Sequence, residues 1–192
     1  MSLIPKALAR FNARHPEITT SLQAHHSRDI HEMVASRIFD IGVCELAAND
    51  PDMGDDDYEI TCAFLCRRDD PLAKLDVVTP RDLTERTVVT LYDRHPTTLA
   101  LREDLTEQGT IWKSHVECNL FTVALQLVLH GGAVSWVDPF TLAMFDEPGL
   151  CVRPFEPTIR LRFAILGPPD DGSPHAAEMI DLIRQEIVAV RD

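Results

Sequence analysis

Two carboxylates stand where short apolar runs end. Glu45 follows Asp40-Ile41-Gly42-Val43-Cys44, and Asp138 follows the run 133–137. A carboxylate removed from water without a partner is costly, so each acid wants a cation. For Glu45 that cation is a ligand group or a protein arginine, unless the side chain points to solvent. Asp138 has a local alternative, because Pro139 follows it: an N-cap with proline at the first helical position. Four other polar residues sit where helices are expected to begin: Ser2, Ser27, Thr97 and Asn119. A helix N-terminus offers free N–H groups and partial positive charge, so such residues serve a ligand carboxylate as well as simple capping. Thr98, beside Thr97, shares that helix start. The stretch Tyr92-Asp93-Arg94-His95 follows the apolar run 87–91. Arg94 there either grips a carboxylate bidentately or stands in water.

Signals for covalent or metal chemistry are weak. The chain has no Gly-x-Ser-x-Gly, no phosphate-cradling glycine loop and no His-Glu-x-x-His. Cys44–Glu45 and Cys118–Asn119 lack an evident positioned histidine. The acidic run from Asp50 to Asp57 lacks the alternate-position ligands of a calcium loop and reads as solvated loop. His25, His26 and His31 lack a cysteine or carboxylate to complete a ligand set. No catalytic residue, metal or cofactor is expected. The five cysteines are odd in number and lie in apolar segments, which predicts small buried thiols in a reducing cytoplasm rather than disulfides. Cys62 and Cys66 on one strand would stand ~13 Å apart, too far to share a metal.

These residues need a scaffold, and 192 residues with 45% hydrophobic content can bury a core. The net charge of −13 does not attract phosphate backbones or anionic membranes. No apolar run approaches the ~20 residues that span a bilayer, and no signal peptide is visible.

Periodicity predicts alternating helices and strands. Residues 2–14 read as a helix with Ile4, Ala7, Leu8 and Phe11 on one face. Residues 18–24 alternate as a strand. Ser27 opens a helix carrying Ile30, Met33, Val34 and Ile38, and residues 40–44 read as a strand buried on both faces. Residues 49–57 form a loop. Strands follow at 59–67 and 87–91, with a short helix 80–84 capped by Thr79 between them. A helix from Thr97 over Leu101 and Leu105 ends at Gly109. A strand 112–118, showing Trp112, Ser114, Val116 and Cys118, precedes a helix from Asn119 to Gly131-Gly132 that is apolar nearly all round. Strands 133–137 and 159–166 and a final helix from Ser173-Pro174 complete the chain. Such alternation predicts α/β architecture with largely parallel sheets.

Four segments in this order resemble the effector-binding domain of LysR-type transcriptional regulators. They are Leu3-Ile4-Pro5 with Leu8, Phe11 and Pro16; Ser27 through Val34 to Asp40-Ile41-Gly42-Val43; Asp70-Pro71-Leu72-Ala73 with Thr79-Pro80-Arg81-Asp82-Leu83; and Val128, Gly131 and Val134 ahead of Val137-Asp138-Pro139. The resemblance implies two Rossmann-like α/β lobes of the type II periplasmic-binding-protein kind. Lobe I would hold 1–66 plus 160–192, and lobe II 67–159 with the hinge crossings. The family's first strand normally precedes the helix that starts here at Ser2, so it is apparently missing.

The resemblance further implies a small effector in the inter-lobe cleft, lined by Ser27, Glu45, Tyr92, Arg94, Thr97, Thr98, Asn119 and Asp138. DNA would be reached only through an N-terminal winged helix-turn-helix that this chain lacks. An antiparallel homodimer is implied, with the first helix (Leu8, Phe11) and helix 119–130 as candidate surfaces. Val137-Asp138-Pro139-Phe140 resembles the matching segment of regulators that sense basic amino acids or opines. With Glu45, it points to an effector carrying both a cation and a carboxylate; an aromatic acid is the competing choice. The rival readings are a solute-binding protein of the same architecture and a small α/β enzyme.

Overall fold

A computed structural model describes residues 3–47, 50–51, 56–107, 109, 113–168 and 172–191. Ser2, Trp112 and most of the acidic run, Asp52 to Asp55, lie outside the described residues. The chain divides into two compact units, Met1–Tyr58 with Arg162–Asp192, and Glu59–Leu161.

The first unit starts with helix α1 (Leu3–Arg14), which buries Leu3, Ala7 and Phe11. It packs against the last helix, α6 (Pro174–Arg191), whose Ala176, Met179, Ile183 and Ile187 are also buried. Phe11 is therefore core and not the dimer surface expected of it. Its spacing with Leu3 and Ala7 marks a buried stripe, but spacing cannot tell a core from a partner. The expected strand 18–24 is absent. Its alternation is real, yet it pairs with no other described strand and Leu22 is 45% exposed. A strand needs a neighbour to take its N–H and C=O groups.

Helix α2 (Ser27–Ala35) lies on strand β1 (Gly42–Leu46). It ends before Ile38, which is 67% exposed, because Arg37 turns the backbone to φ 60°. Gly42 permits the contact with α2: a Cβ there would meet Ile30 Cγ2 at 2.5 Å and Val34 Cγ2 at 2.9 Å. Val34, Cys44, Leu46, Ala164 and Leu166 form the core beneath. Strand β1 pairs antiparallel with β8 (Arg160–Leu166), and β2 (Asp57–Thr61) flanks β8 on the other side. Within this unit Arg184 pairs with Asp56 at 2.8 Å, and Arg162 with Asp57 at 2.5 Å.

The second unit is built on β3 (Ala63–Arg67), which pairs antiparallel with β6 (Ser135–Val137) and β7 (Leu150–Arg153). Strand β4 (Thr87–Leu91) pairs parallel with β5 (Lys113–Cys118), and a Val88–Val134 bridge joins β4 to the β6 segment. Residues 59–67 thus fall in two strands broken at Cys62, because β2 joins the β1-β8-β2 sheet and β3 the β6-β3-β7 sheet. Most named ladders are antiparallel, against the largely parallel expectation. A short apolar strand looks the same in either direction.

Helix α3 (Pro96–Glu107) follows β4. Helix α4 (Phe121–Gly131) covers the sheet with Leu125 and Val128 and ends at Gly132, φ 67°. Only part of α4 is buried: Val123 stays 39% exposed. Short 3-10 turns at Pro71–Lys74 and Pro80–Leu83 carry the third family-like segment. Asp70 accepts the Leu72 N–H at 2.9 Å, and the Asp82 carboxylate takes the Thr79 N–H at 2.8 Å. Helix α5 (Pro139–Leu142) follows β6. No helix among the described residues is long and apolar enough to cross a membrane.

None of the five cysteines forms a disulfide, and Cys118 alone is not buried. Burial pushes the Cys44 and Cys66 thiols up to about 11 from 9.0. The folded state therefore holds these protons more tightly than the unfolded chain. The resulting stability is full below pH 9 and is lost as pH rises through about 11. Urea unfolding is expected to show a falling midpoint between pH 9 and 11, with a shallower fall in Cys44→Ala; equal slopes in both chains would contradict this assignment.

Candidate functional site

In the first unit the structure brings Ser27 and Glu45 together. Ser27 is not the cap of α2. His26 occupies that position with extended backbone, and Ser27 is the first helical residue. Its hydroxyl accepts the Glu45 N–H at 3.0 Å instead. Glu45 lies within β1, opposite Phe163, and not beyond its end. It is half-buried: inward residues Cys44 and Leu46 flank it, and the antiparallel ladder carries β1 two residues further than its apolar run suggests.

The second unit gathers more chemistry where β4 ends and α3 begins. Thr97 does not cap α3 either, because the helix already starts at Pro96. The capping role falls to His95, 1% exposed, whose Nδ1 accepts the Thr97 N–H at 3.2 Å and lies 2.7 Å from Thr97 Oγ1. With Nδ1 accepting, the ring proton sits on Nε2. Tyr92 and Phe121 meet the imidazole edge-on, with ring centroids 5.2 and 5.5 Å away. Thr98 Oγ1 donates to the Leu91 carbonyl at 3.0 Å, tying the helix start to the strand end.

Beside them Ser135 Oγ donates to the Val89 carbonyl at 2.9 Å. Trp136 is 5% exposed, and its indole N–H has no acceptor among the described residues. Thr97, Thr98, Phe121, Ser135 and Trp136 line one pocket whose void is about 10 Å³, room for about one water-sized oxygen. A wider recess of about 420 Å³ in the first unit, between Arg37, Asp40 and Ser173, contains none of the expected residues. The small pocket has the stronger claim, because a buried donor without a partner costs about 1–3 kcal/mol and a ligand oxygen would satisfy it.

Three expected residues stand apart from this pocket. Arg94 is exposed. Asn119 is exposed and is not the cap of α4, because Leu120 holds the extended cap conformation, φ −139° and ψ 135°. Asp138 is buried, and its Oδ1 accepts the Thr141 N–H at 2.9 Å as the N-cap of α5. That carboxylate does local work. Sequence reasoning missed Ser135, Trp136 and the capping role of His95. A histidine directly before Pro-Thr-Thr, and a tryptophan in a strand flanked by apolar residues, were the available signals.

The architecture is that of an α/β domain, and comparison with known proteins gives its class. The LysR substrate binding domain model matches residues 1–187, and the chain belongs to that family. It is 24% identical over 177 residues to the regulatory protein NocR of Agrobacterium tumefaciens strain T37, covering 91% of this chain and 58% of NocR. The regulatory domain of Synechocystis PCC6803 CcmR, solved with 2-PG, superposes with a TM-score of 0.73 at 17% identity, covering 95% of this chain and 89% of that one. The effector-binding domain of QuiR, solved with shikimate, gives 0.69 at 18% identity, covering 96% and 90%. The fold is therefore the type II periplasmic-binding α/β fold of LysR effector-binding domains.

Proposed function

We propose that this chain is the ligand-sensing part of a LysR-type transcriptional regulator and that its effector carries a carboxylate. The observation that supports this most is the buried Trp136 N–H, which has no acceptor among the described residues, on a residue that lines the pocket. One carboxylate oxygen matches both the size of the void and the missing acceptor. Shikimate, the ligand in the QuiR domain, is itself a carboxylate.

The cationic group expected of the effector is tested separately at Glu45, because Asp138 is committed to α5. The chain spans 58% of NocR, so DNA contact through a separate winged helix-turn-helix and homodimerisation are part of the same proposal. With Phe11 buried, α4 is the better dimer surface, through exposed Leu120 and Val123. Sedimentation of Val123→Asp is expected to show a lighter species than the parent; identical profiles would exclude that face.

Trp136 is also a reporter. In a Trp112→Phe background it is the sole tryptophan, because the chain has two. Titration with shikimate, benzoate, arginine, ornithine and lysine is expected to shift its emission for at least one acid. Glu45→Gln is expected to weaken any basic amino acid that binds by about ten-fold, near the ~1.4 kcal/mol that corresponds to a decade of affinity, and to leave benzoate unchanged. Tight benzoate binding with no response to any basic amino acid would discard the cationic group. Silence towards every acid would discard the carboxylate.

A further inference from the structure

The end of α1 and the first turn of α6 bring three metal-binding side chains together on the first unit. His15 follows α1, and its backbone N–H still donates to Phe11 O at 3.0 Å. His175 and Glu178 are three residues apart on α6 and so share a face. One ligand atom from each of the three lies within 4.8 Å of the others. His15 Nε2 and Glu178 Oε2 are 2.7 Å apart. The His15 and His175 rings meet edge-on at 4.8 Å, and His15 also packs on buried Phe11 at 4.8 Å. The second oxygen of Glu178 accepts from Arg14 at 2.9 Å, which orients the carboxylate from behind.

We propose that His15, His175 and Glu178 bind a divalent transition-metal ion of the zinc class. Two imidazoles and one carboxylate suit zinc, nickel or copper. Magnesium and calcium prefer all-oxygen sets with more ligands. Tetrahedral bonds of ~2.0–2.2 Å place ligand atoms ~3.4 Å apart. The His15–Glu178 pair must therefore open by several tenths of an ångström, and exposed His175 must turn inward. The metal takes the place of the hydrogen between His15 and Glu178: from a neutral ring that hydrogen moves to Nδ1, and from a charged ring it leaves to solvent. Three protein ligands leave a fourth position for water. Neighbouring Arg14 lowers affinity by charge while it fixes the carboxylate. The ion would clip α1 to α6 across some 160 residues of sequence.

Calorimetric titration of the whole chain with zinc chloride tests the site, with magnesium chloride as the comparison. One zinc per chain and no magnesium binding are expected. His175→Ala, which removes an exposed imidazole and its edge contact with His15, is expected to weaken zinc at least ten-fold, as is Glu178→Gln; His25→Ala is expected to leave it unchanged. Zinc should raise the melting temperature of the parent and not of His175→Ala. Cobalt should give a visible ligand-field band in the parent that His175→Ala abolishes. No zinc binding, or zinc binding equal in the parent and His175→Ala, overturns the proposal.

Discussion

Phe64→Ala is expected to lower stability by about 3–5 kcal/mol, the range for removing a buried aromatic ring. Phe64 has no exposed surface and sits on β3, the strand paired on both sides in the second unit. Its ring meets Trp136 edge-on at 5.4 Å and stacks on Phe155 at 6.0 Å and 17°. Trp136 and Phe155 meet in turn at 4.9 Å, so three rings share one packing unit. Two hydrogen-bonded neighbours prevent β3 from collapsing into the space left. A domain of this size has about 5–15 kcal/mol in total, so the loss takes a large share. Urea unfolding followed by circular dichroism measures it. The same variant frees one side of Trp136, and effector affinity should fall with stability. A loss under about 1 kcal/mol would show that the site repacks and that the rings are not a unit.

Trp136→Phe separates binding from packing. Phenylalanine keeps an aromatic ring against Phe64 and Phe155 and removes the indole N–H. That donor has no acceptor among the described residues, so its removal should leave stability within about 1 kcal/mol, the gain of deleting an unsatisfied donor offsetting a smaller ring. A hydrogen bond to a charged group contributes about 1.5–3 kcal/mol. Carboxylate affinity should therefore drop about ten-fold or more, with unfolding nearly unchanged. Calorimetry with the best-binding acid decides. Unchanged affinity would remove Trp136 from the site, whatever the effector.

Local chemistry was legible in the sequence. The stripe Leu3, Ala7 and Phe11 gave α1, the run Thr87–Leu91 gave β4, and alternation around Leu161, Phe163 and Ile165 gave β8. Gly132 stopped α4, and Asp138-Pro139 capped α5 as one of its two readings had it. Each depends on residues a few positions apart, where propensity and capping act. The ordered segments also pointed to the LysR family, and the family match agrees.

Tertiary structure decided what depends on distant partners. Ser27, Thr97 and Asn119 are typical caps by type, yet none holds the cap position, which falls to His26, to His95 and to Leu120. Strand direction was invisible because a ladder joins residues such as Cys44 and Ala164, and the alternation in 18–24 could not reveal the lack of a neighbour. The same holds for chemistry. The Trp136 N–H lost water without gaining an acceptor among the described residues, and His15 stands beside Glu178 because α1 packs on α6. Burial and cross-chain distance are properties of the folded whole, and residue order carries them only through the packing it produces.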